Sequence, residues 1–291
     1  MPKFTAEELT QERLASMTNP QLTALYLQVR KEFRDLIRHA ERMSRGSGGI
    51  PSTGNRMFWA SILFTRILIT AKSLNRLLPD PKPREHWDFS AAASLARNLF
   101  EACLVYHWLC GDGIDDEVRA GRFILFHLHD YGSRRRLFPE EVDETDGTLD
   151  DLVRQFDANS NLATFSDTQR RVALKGERTP FLQDDVLAEI GVDQAMFRML
   201  YRFFSQRTHT GPLAFYRMLD HDRGTGVETR YEKRYLIMVI GFSSEFLLRA
   251  MNTHLDIFPD AETRPAHLTS RQIENNIEEA QGRRKPKRRL R

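Results

Sequence analysis

Residues 89–110 read FSAAASLARNLFEACLVYHWLC, and this stretch decides the fold. It is apolar on nearly every side when its residues are placed around a helix. Asp88 precedes it, at a position suited to a helix N-cap. A helix that is apolar all round is buried among other elements. The stretch therefore predicts the central helix of a bundle.

Helical periodicity extends from this segment in both directions. Apolar residues at spacings of three and four predict further main helices over about 19–45, 56–78, 115–138, 193–209 and 230–255. Thr5 and Glu8 have the spacing of a capping box for a short first helix, and a last helix would cover 270–281. Strand-like alternation is nearly absent. The expected fold is all-α, a single helical bundle of about six main helices.

The expected domain organisation is one helical domain followed by a tail. The helical domain covers residues 1–281, with its core at about 20–258. Residues 139–191 show only short, weakly periodic pieces after an acidic, turn-rich start, and they predict a polar insertion between two halves of the bundle. Residues 282–291, GRRKPKRRLR, are predicted to be a disordered basic tail.

Composition limits the class of protein. The chain of 291 residues is 41% hydrophobic and has two cysteines, which excludes a disulfide scaffold. Its net charge of +3 combines seven basic residues in the tail with a remainder of 36 basic and 40 acidic residues. The N-terminus lacks the apolar run of a signal peptide, and the apolar stretch 57–71 is too short for a membrane span. We therefore expect a cytoplasmic protein without membrane contact.

Several sequence motifs of enzymes are missing. No histidine follows a glutamate by three residues, and the chain contains no HExxH, no C-x-x-C, no phosphate-binding P-loop and no G-x-G-x-x-G. These absences argue against a metal enzyme or a nucleotide-binding enzyme. We expect no metal and no cofactor.

Two helices carry polar stripes that can meet inside the bundle. Arg97 and Glu101 are four apart on the central helix, so they share a face. On the helix over 193–209 a second stripe is formed by Arg198, Tyr201, Arg202, Ser205 and His209. The candidate catalytic residues are His209, Arg202, Ser205, Arg97 and Glu101. His209 would act as acid or base, the two arginines would hold an anion, and Ser205 would orient the site. The alternative is a buried polar network that fixes helix register.

Through these two stripes, the chain resembles a family of uncharacterised bacterial helical proteins. Members show R-x-x-x-E in a central helix and S-x-x-x-H in a later one, matched here by Arg97/Glu101 and Ser205/His209. The resemblance covers about residues 56–255 and implies an all-helical domain without an established activity.

A wider resemblance is to the HEPN class of helical domains. That class implies a metal-independent ribonuclease of defence or stress systems, with an Arg-x(4–6)-His motif acting across a homodimer. The matching pairs are Arg34/His39, Arg122/His127, Arg122/His129, Arg202/His209 and Arg249/His254. Helical geometry places only Arg122/His129 and Arg202/His209 on a shared face.

Two basic features predict contact with nucleic acid. A stripe on the helix over 115–138 contains Arg119, Arg122, His129 and Arg136, and it would meet RNA phosphates or form a solvated face paired with the acidic segment 140–151. The tail contributes Arg283, Arg284, Lys285, Lys287, Arg288 and Arg289. It would bind nucleic acid, an acidic protein, or nothing specific.

The functional expectation is a bacterial helical protein that binds or cleaves RNA. The first alternative is a non-enzymatic binding or scaffold protein whose Arg-Glu-Ser-His network is structural, so enzymatic activity stays open. A further alternative is a small-molecule pocket between helices. An open cleft that reaches His209 and Arg97 would favour the RNA-acting protein, whereas a sealed core would favour the scaffold protein.

Overall fold

A computed structural model describes residues 9, 11–82, 86–143, 147–177, 180–208, 212, 216 and 226–264. Within these ranges it contains ten α-helices. They are α1 (Gln11–Ser16), α2 (Asn19–Ser47), α3 (Asn55–Leu77), α4 (Phe89–Cys110), α5 (Asp116–Leu137), α6 (Thr148–Ala158), α7 (Asp167–Lys175), α8 (Gln183–Glu189), α9 (Gln194–Thr208) and α10 (Arg230–Ile257). Short 3-10 turns occupy Pro139–Glu141 and Leu162–Thr164, and no strand occurs in the described part.

Helix α4 is the centre of the bundle, as its sequence predicts. It begins and ends at the predicted residues, with the Asp88 carboxylate accepting a hydrogen bond from the Ala91 amide at 2.9 Å. Helices α3, α5, α8, α9 and α10 all pack against it. Phe100 and Leu104 on α4 are almost fully buried. Each such side chain stabilises the fold by about 1.5–3 kcal/mol through the apolar surface that it removes from water.

The six predicted main helices correspond to α2, α3, α4, α5, α9 and α10, which confirms the all-α prediction. The additional helices are short. The predicted last helix over 270–281, the tail and the capping pair Thr5 and Glu8 lie outside the described residues.

The described part of the segment 139–191, which the sequence predicts as a polar insertion, contains three short helices, α6, α7 and α8. Helices α6 and α7 pack on α5, and Leu152 and Phe156 of α6 form a second small core with Leu128. At the α5–α7 contact, a Cβ added to Gly132 would lie 2.5 Å from the Lys175 carbonyl oxygen. Only glycine permits this approach. Helix α8 instead joins the main core.

Buried polar groups tie the ends of α10 to the bundle. At its start, Lys233 is 1% exposed and donates to Asn19 Oδ1 at 2.8 Å and to Thr23 Oγ1 at 2.7 Å. Near its end, the His254 ring lies between Ser47 Oγ at 2.9 Å and the Tyr106 hydroxyl at 3.2 Å. These bonds satisfy polar groups that would otherwise be costly to bury.

Two helices, α3 and α10, have the length and composition of a membrane span. In the most apolar window of α10, 78% of the residues are buried, against 39% in α3. Phe58, Ile62 and Ile69 lie on the exposed side of α3. Two such helices are only a weak indication of a membrane protein, because the core helices of other proteins have the same length and composition.

Candidate functional site: an open cleft between α4, α5, α8 and α9

The polar stripes of α4 and α9 meet, as the hypothesis required. Arg97 Nε donates to Glu101 Oε1 at 3.1 Å, and Arg97 Nη1 donates to Ser205 Oγ at 3.2 Å. The first bond joins one helical turn of α4, and the second joins α4 to α9. Arg97, Glu101 and Ser205 therefore form one cluster across the helix interface.

Tyr201 completes this cluster. Its hydroxyl donates a hydrogen bond to Glu101, and its ring centroid lies 4.7 Å from the Arg97 guanidinium carbon. Burial and the hydrogen bond to Glu101 raise the pKa of Tyr201, so the phenol stays protonated and remains a donor at neutral pH. The Glu101 carboxylate thus accepts from two side chains.

Arg97, Glu101 and Tyr201 of this cluster line an open cleft of about 800 Å³. The Arg97 side chain is 24% exposed and that of Glu101 is 40% exposed. The cleft is also lined by Leu104, Val105, Phe126, His129, Pro180, Phe181, Leu182, Gln183, Asp184, Arg198, Tyr201 and Arg202. The charged pair on the central helix therefore faces solvent and is not sealed in the core.

Three residues of this cleft differ in how their polar atoms are used. Arg198 forms a two-point ion pair with Asp184, at 2.9 Å from Nε and 2.6 Å from Nη2, which joins α9 to α8. Arg202 is exposed and has no ion-pair partner among the described residues. The Nδ1 of His129 is buried and has no hydrogen-bond partner among the residues that the structure describes. Arg202 and His129 are thus the groups with unused capacity.

His209 lies outside the described residues. Its predicted role as acid or base, and its relation to Ser205 and Arg202, stay predictions. Within the described part of the cleft, the histidine is His129, which the sequence analysis assigned to a separate basic stripe.

The stripe on α5 is not uniform in exposure, because Arg136 is exposed whereas Arg119 is buried. Arg119 is 8% exposed and donates to the carbonyl oxygens of Leu109 at 3.1 Å, Gly111 at 3.0 Å and Ile114 at 3.0 Å. The last carbonyls of a helix lack partners within the helix and attract cations. Arg119 therefore caps the end of the central helix α4 and does not face solvent.

Arg122 and Arg136 also bind carbonyl oxygens. Arg122 Nη1 donates to the Trp108 carbonyl at 2.8 Å, and its guanidinium pairs with Glu189. Arg136 Nη2 donates to the Gly176 carbonyl at 3.0 Å, after the end of α7. These bonds occupy the groups that would contact phosphates. No sequence pattern indicates these hydrogen bonds, because their acceptors are backbone atoms of other segments.

The structure separates one of the two Arg–His pairs that share a helix face. Arg122 lines a second cleft near the end of α4, whereas His129 lines the first cleft. His254, of the pair Arg249/His254, is fully buried. Of the arginines in the matching Arg–His pairs, Arg202 therefore lines the first cleft. The described histidine that lines this cleft is His129, which lies on α5 and not on α9.

Among the described residues, no group of three or more His, Cys, Asp or Glu side chains is placed to hold a metal ion. The six tail residues named as candidates for nucleic-acid binding lie outside the described ranges, so this role stays a prediction.

Residues 57–226, more than half of the chain, match a family of unknown function, DUF5677. The chain belongs to DUF5677. The DUF5677 match begins in α3 and covers α4, α5, α8 and α9, so it includes every described residue of the first cleft. No curated protein and no solved structure matches the chain.

Proposed function

We propose that the first cleft binds single-stranded RNA. The observation that carries this proposal is the convergence of Arg97, Arg202, His129 and Tyr201 in one open cleft. Arginine side chains bind phosphate oxygens, and aromatic or apolar surface accepts unstacked bases. The cleft offers both, because Phe126 and Phe181 lie beside its charged wall.

The charge distribution of the cleft supports an anionic ligand. Arg97 is paired with Glu101, and Arg198 is paired with Asp184. Arg202 adds a positive charge that no carboxylate among the described residues neutralises. A phosphate placed at Arg202 would gain a charge-assisted hydrogen bond without displacing an existing ion pair.

We further propose that bound RNA is cleaved without a metal. The ribose 2′-oxygen attacks the adjacent phosphorus, the bond from phosphorus to the 5′-oxygen breaks, and a 2′,3′-cyclic phosphate and a 5′-hydroxyl result. One histidine removes the 2′-hydroxyl proton, and a second group supplies the proton for the leaving oxygen. His129 and His209 are the candidates, with Arg202 stabilising the charged phosphorane. The HEPN-like relation, a bacterial origin, a role in defence or stress response, a cytoplasmic location and a homodimer belong to this proposal.

The test of cleavage is incubation of end-labelled RNA with the purified protein in EDTA. Cleavage should leave 2′,3′-cyclic phosphate ends, and His129→Ala and His209→Ala should each abolish it. Retained cleavage by either variant, or products with other ends, would contradict the assignment. Arg38→Ala is the matched control, because Arg38 is an exposed residue of α2 paired with Asp35.

A second candidate function is a non-enzymatic binding or scaffold role. The observation that favours it is that Arg97, Glu101, Tyr201 and Ser205 bond to one another and join α4 to α9. In that case, substitutions in the cluster would lower stability, and the purified protein would neither bind nor cleave RNA.

A further inference from the structure

A series of rings leads from the first cleft onto the outer side of α3. Phe126 of α5 lines the cleft, and its ring centroid lies 5.3 Å from that of Trp59 on α3. The Trp59 ring in turn lies 5.5 Å from that of Phe58 and 5.7 Å from that of His127. The rings of Phe58, Trp59, Phe126 and His127, here called the aromatic track, therefore continue the apolar wall of the cleft beyond its lining residues.

The aromatic track is open to solvent at its far end. Phe58 is 49% exposed, although phenylalanine is a residue type that proteins usually bury. Trp59, Phe126 and His127 are partly exposed. Burial lowers the pKa of His127, so its imidazole is neutral at physiological pH. The track thus presents uncharged rings to solvent.

Neighbouring rings of the track are nearly perpendicular to one another. The interplanar angle is 86° between Phe58 and Trp59 and 79° between Trp59 and Phe126. Such an edge-to-face contact covers a single ring face of each pair, whereas a stacked contact covers a face of both rings. Aromatic faces of this kind accept the bases of single-stranded nucleic acids, because every base has a π-face.

The charges around the track suit a polyanion. Helix α3 contains no acidic residue. Its Arg66 lies on the same face as Trp59 and about 10 Å farther along the helix. Arg66 is exposed, and its side chain has no ion pair among the described residues. Asp130, the carboxylate that acts on His127, is already paired with Arg134. A phosphate can therefore bind Arg66 without displacing an existing ion pair.

We propose that the bases of single-stranded RNA stack along the aromatic track, which extends the RNA site from the first cleft to Phe58. This inference rests on the proposed binding of RNA in the cleft and adds the path of the strand outside it. The phosphate backbone continues along α3 toward Arg66. Stacking uses no base-specific hydrogen bond, so the track accepts any sequence.

The first test follows the tryptophan emission of the protein during titration with a single-stranded RNA of about twelve nucleotides. The RNA carries 2′-O-methyl groups, which prevent attack by the 2′-oxygen and keep the strand intact. Trp59 is partly exposed, whereas Trp87 and Trp108 are each 5% exposed. Emission should fall as the RNA saturates the protein, and Trp59→Phe should remove most of this fall. Unchanged emission at saturation, or a fall that Trp59→Phe retains, would overturn the proposal.

The second test measures the affinity of the same RNA by fluorescence anisotropy. Phe58→Ala should weaken binding about tenfold, because a base loses its stacking partner. Leu77→Ala is the matched control, since Leu77 is 47% exposed at the other end of α3 and about 28 Å from Phe58. It should bind RNA as the wild type does. Wild-type affinity in Phe58→Ala would refute the track.

A strand of abasic nucleotides separates stacking from charge. It keeps every phosphate and has no base ring, so Phe58→Ala should leave its affinity unchanged. An equal loss for the abasic strand and for normal RNA would show that Phe58 does not act by stacking.

Failure of the track and failure of the cleft give different results. If Arg202→Ala weakens RNA binding and Phe58→Ala does not, RNA occupies the cleft and the track proposal is wrong. If the wild type does not bind RNA, both proposals are wrong.

Discussion

The Tyr201 hydroxyl of α9 donates a hydrogen bond to the Glu101 carboxylate of α4. Glu101 also accepts from Arg97, and Arg97 in turn donates to Ser205. The α4–α9 interface therefore holds its charged pair through bonds from both helices, on the wall of an open cleft. This relationship joins stability to the proposed ligand site.

Tyr201→Phe should lower the free energy of unfolding by about 1–2 kcal/mol. The substitution removes one hydrogen bond to a charged acceptor that is partly exposed. Urea denaturation measures the difference. Tyr216→Phe is the matched control, because Tyr216 is 68% exposed. Equal losses in both variants would show that the bond to Glu101 does not stabilise the interface.

Arg119→Met should destabilise the protein by roughly 3 kcal/mol, because the carbonyl oxygens of Leu109, Gly111 and Ile114 lose the hydrogen bonds that Arg119 donates. Arg119→Lys should recover only part of this loss, since one ammonium group cannot replace the planar guanidinium. Denaturation of both variants gives the measurement, with Arg38→Met as the exposed control. A stable Arg119→Met variant with reduced RNA affinity would instead return Arg119 to the predicted nucleic-acid interface.

Stability should fall as the pH drops below about 6.5. Burial lowers the pKa of His254 to about 3 and, with the charge of Arg249, that of His107 to about 4. The unfolded chain binds protons at its normal histidine pKa, so it gains protons first on acidification. Each histidine should cost roughly 2 kcal/mol of stability between pH 7 and pH 5.

Thermal unfolding against pH measures this effect. His254→Gln should remove the contribution of one histidine, roughly 2 kcal/mol, from the loss of stability between pH 7 and pH 5. This holds whatever the stability of the variant is at pH 7. Phe64 stacks on His254 and does not titrate. Phe64→Leu should therefore lower the melting temperature at every pH and leave its dependence on pH unchanged. An unaltered slope in His254→Gln would refute the assignment.

Deletion of residues 282–291 removes seven positive charges and should weaken non-specific RNA binding, with a smaller dependence on salt. The far-ultraviolet circular dichroism spectrum should be unchanged. Titrations at several salt concentrations compare the full and truncated chains. Affinity that survives intact would show that the tail does not contribute to the interaction.

The sequence was sufficient for the fold because the core helices carry strong periodic signals. The apolar residues around Arg97 and Glu101 identified α4, and spacing alone placed Tyr201, Arg202 and Ser205 on one face. The contact between the two stripes then followed from the need to partner a charged pair in an apolar helix.

Other features depend on how distant segments meet. Arg119 and Arg122 appear in sequence as part of a basic stripe, and only the position of the α4 carbonyls shows why they are there. Leu152 and Phe156 form part of a small buried core, although the segment around them is acidic and its apolar residues show only weak periodicity. His129 reaches the first cleft because α5 packs beside α4, which spacing within one helix cannot reveal.

The central claim is that the first cleft binds RNA through Arg202, and fluorescence anisotropy of a labelled single-stranded RNA tests it most directly. Titrations of the wild type, Arg202→Ala and Arg38→Ala at several salt concentrations give both affinity and salt dependence. Arg202→Ala should weaken binding about tenfold and reduce the magnitude of the salt slope by about 0.7, and Arg38→Ala should match the wild type. An Arg202→Ala variant with the affinity and salt slope of the wild type would contradict the account.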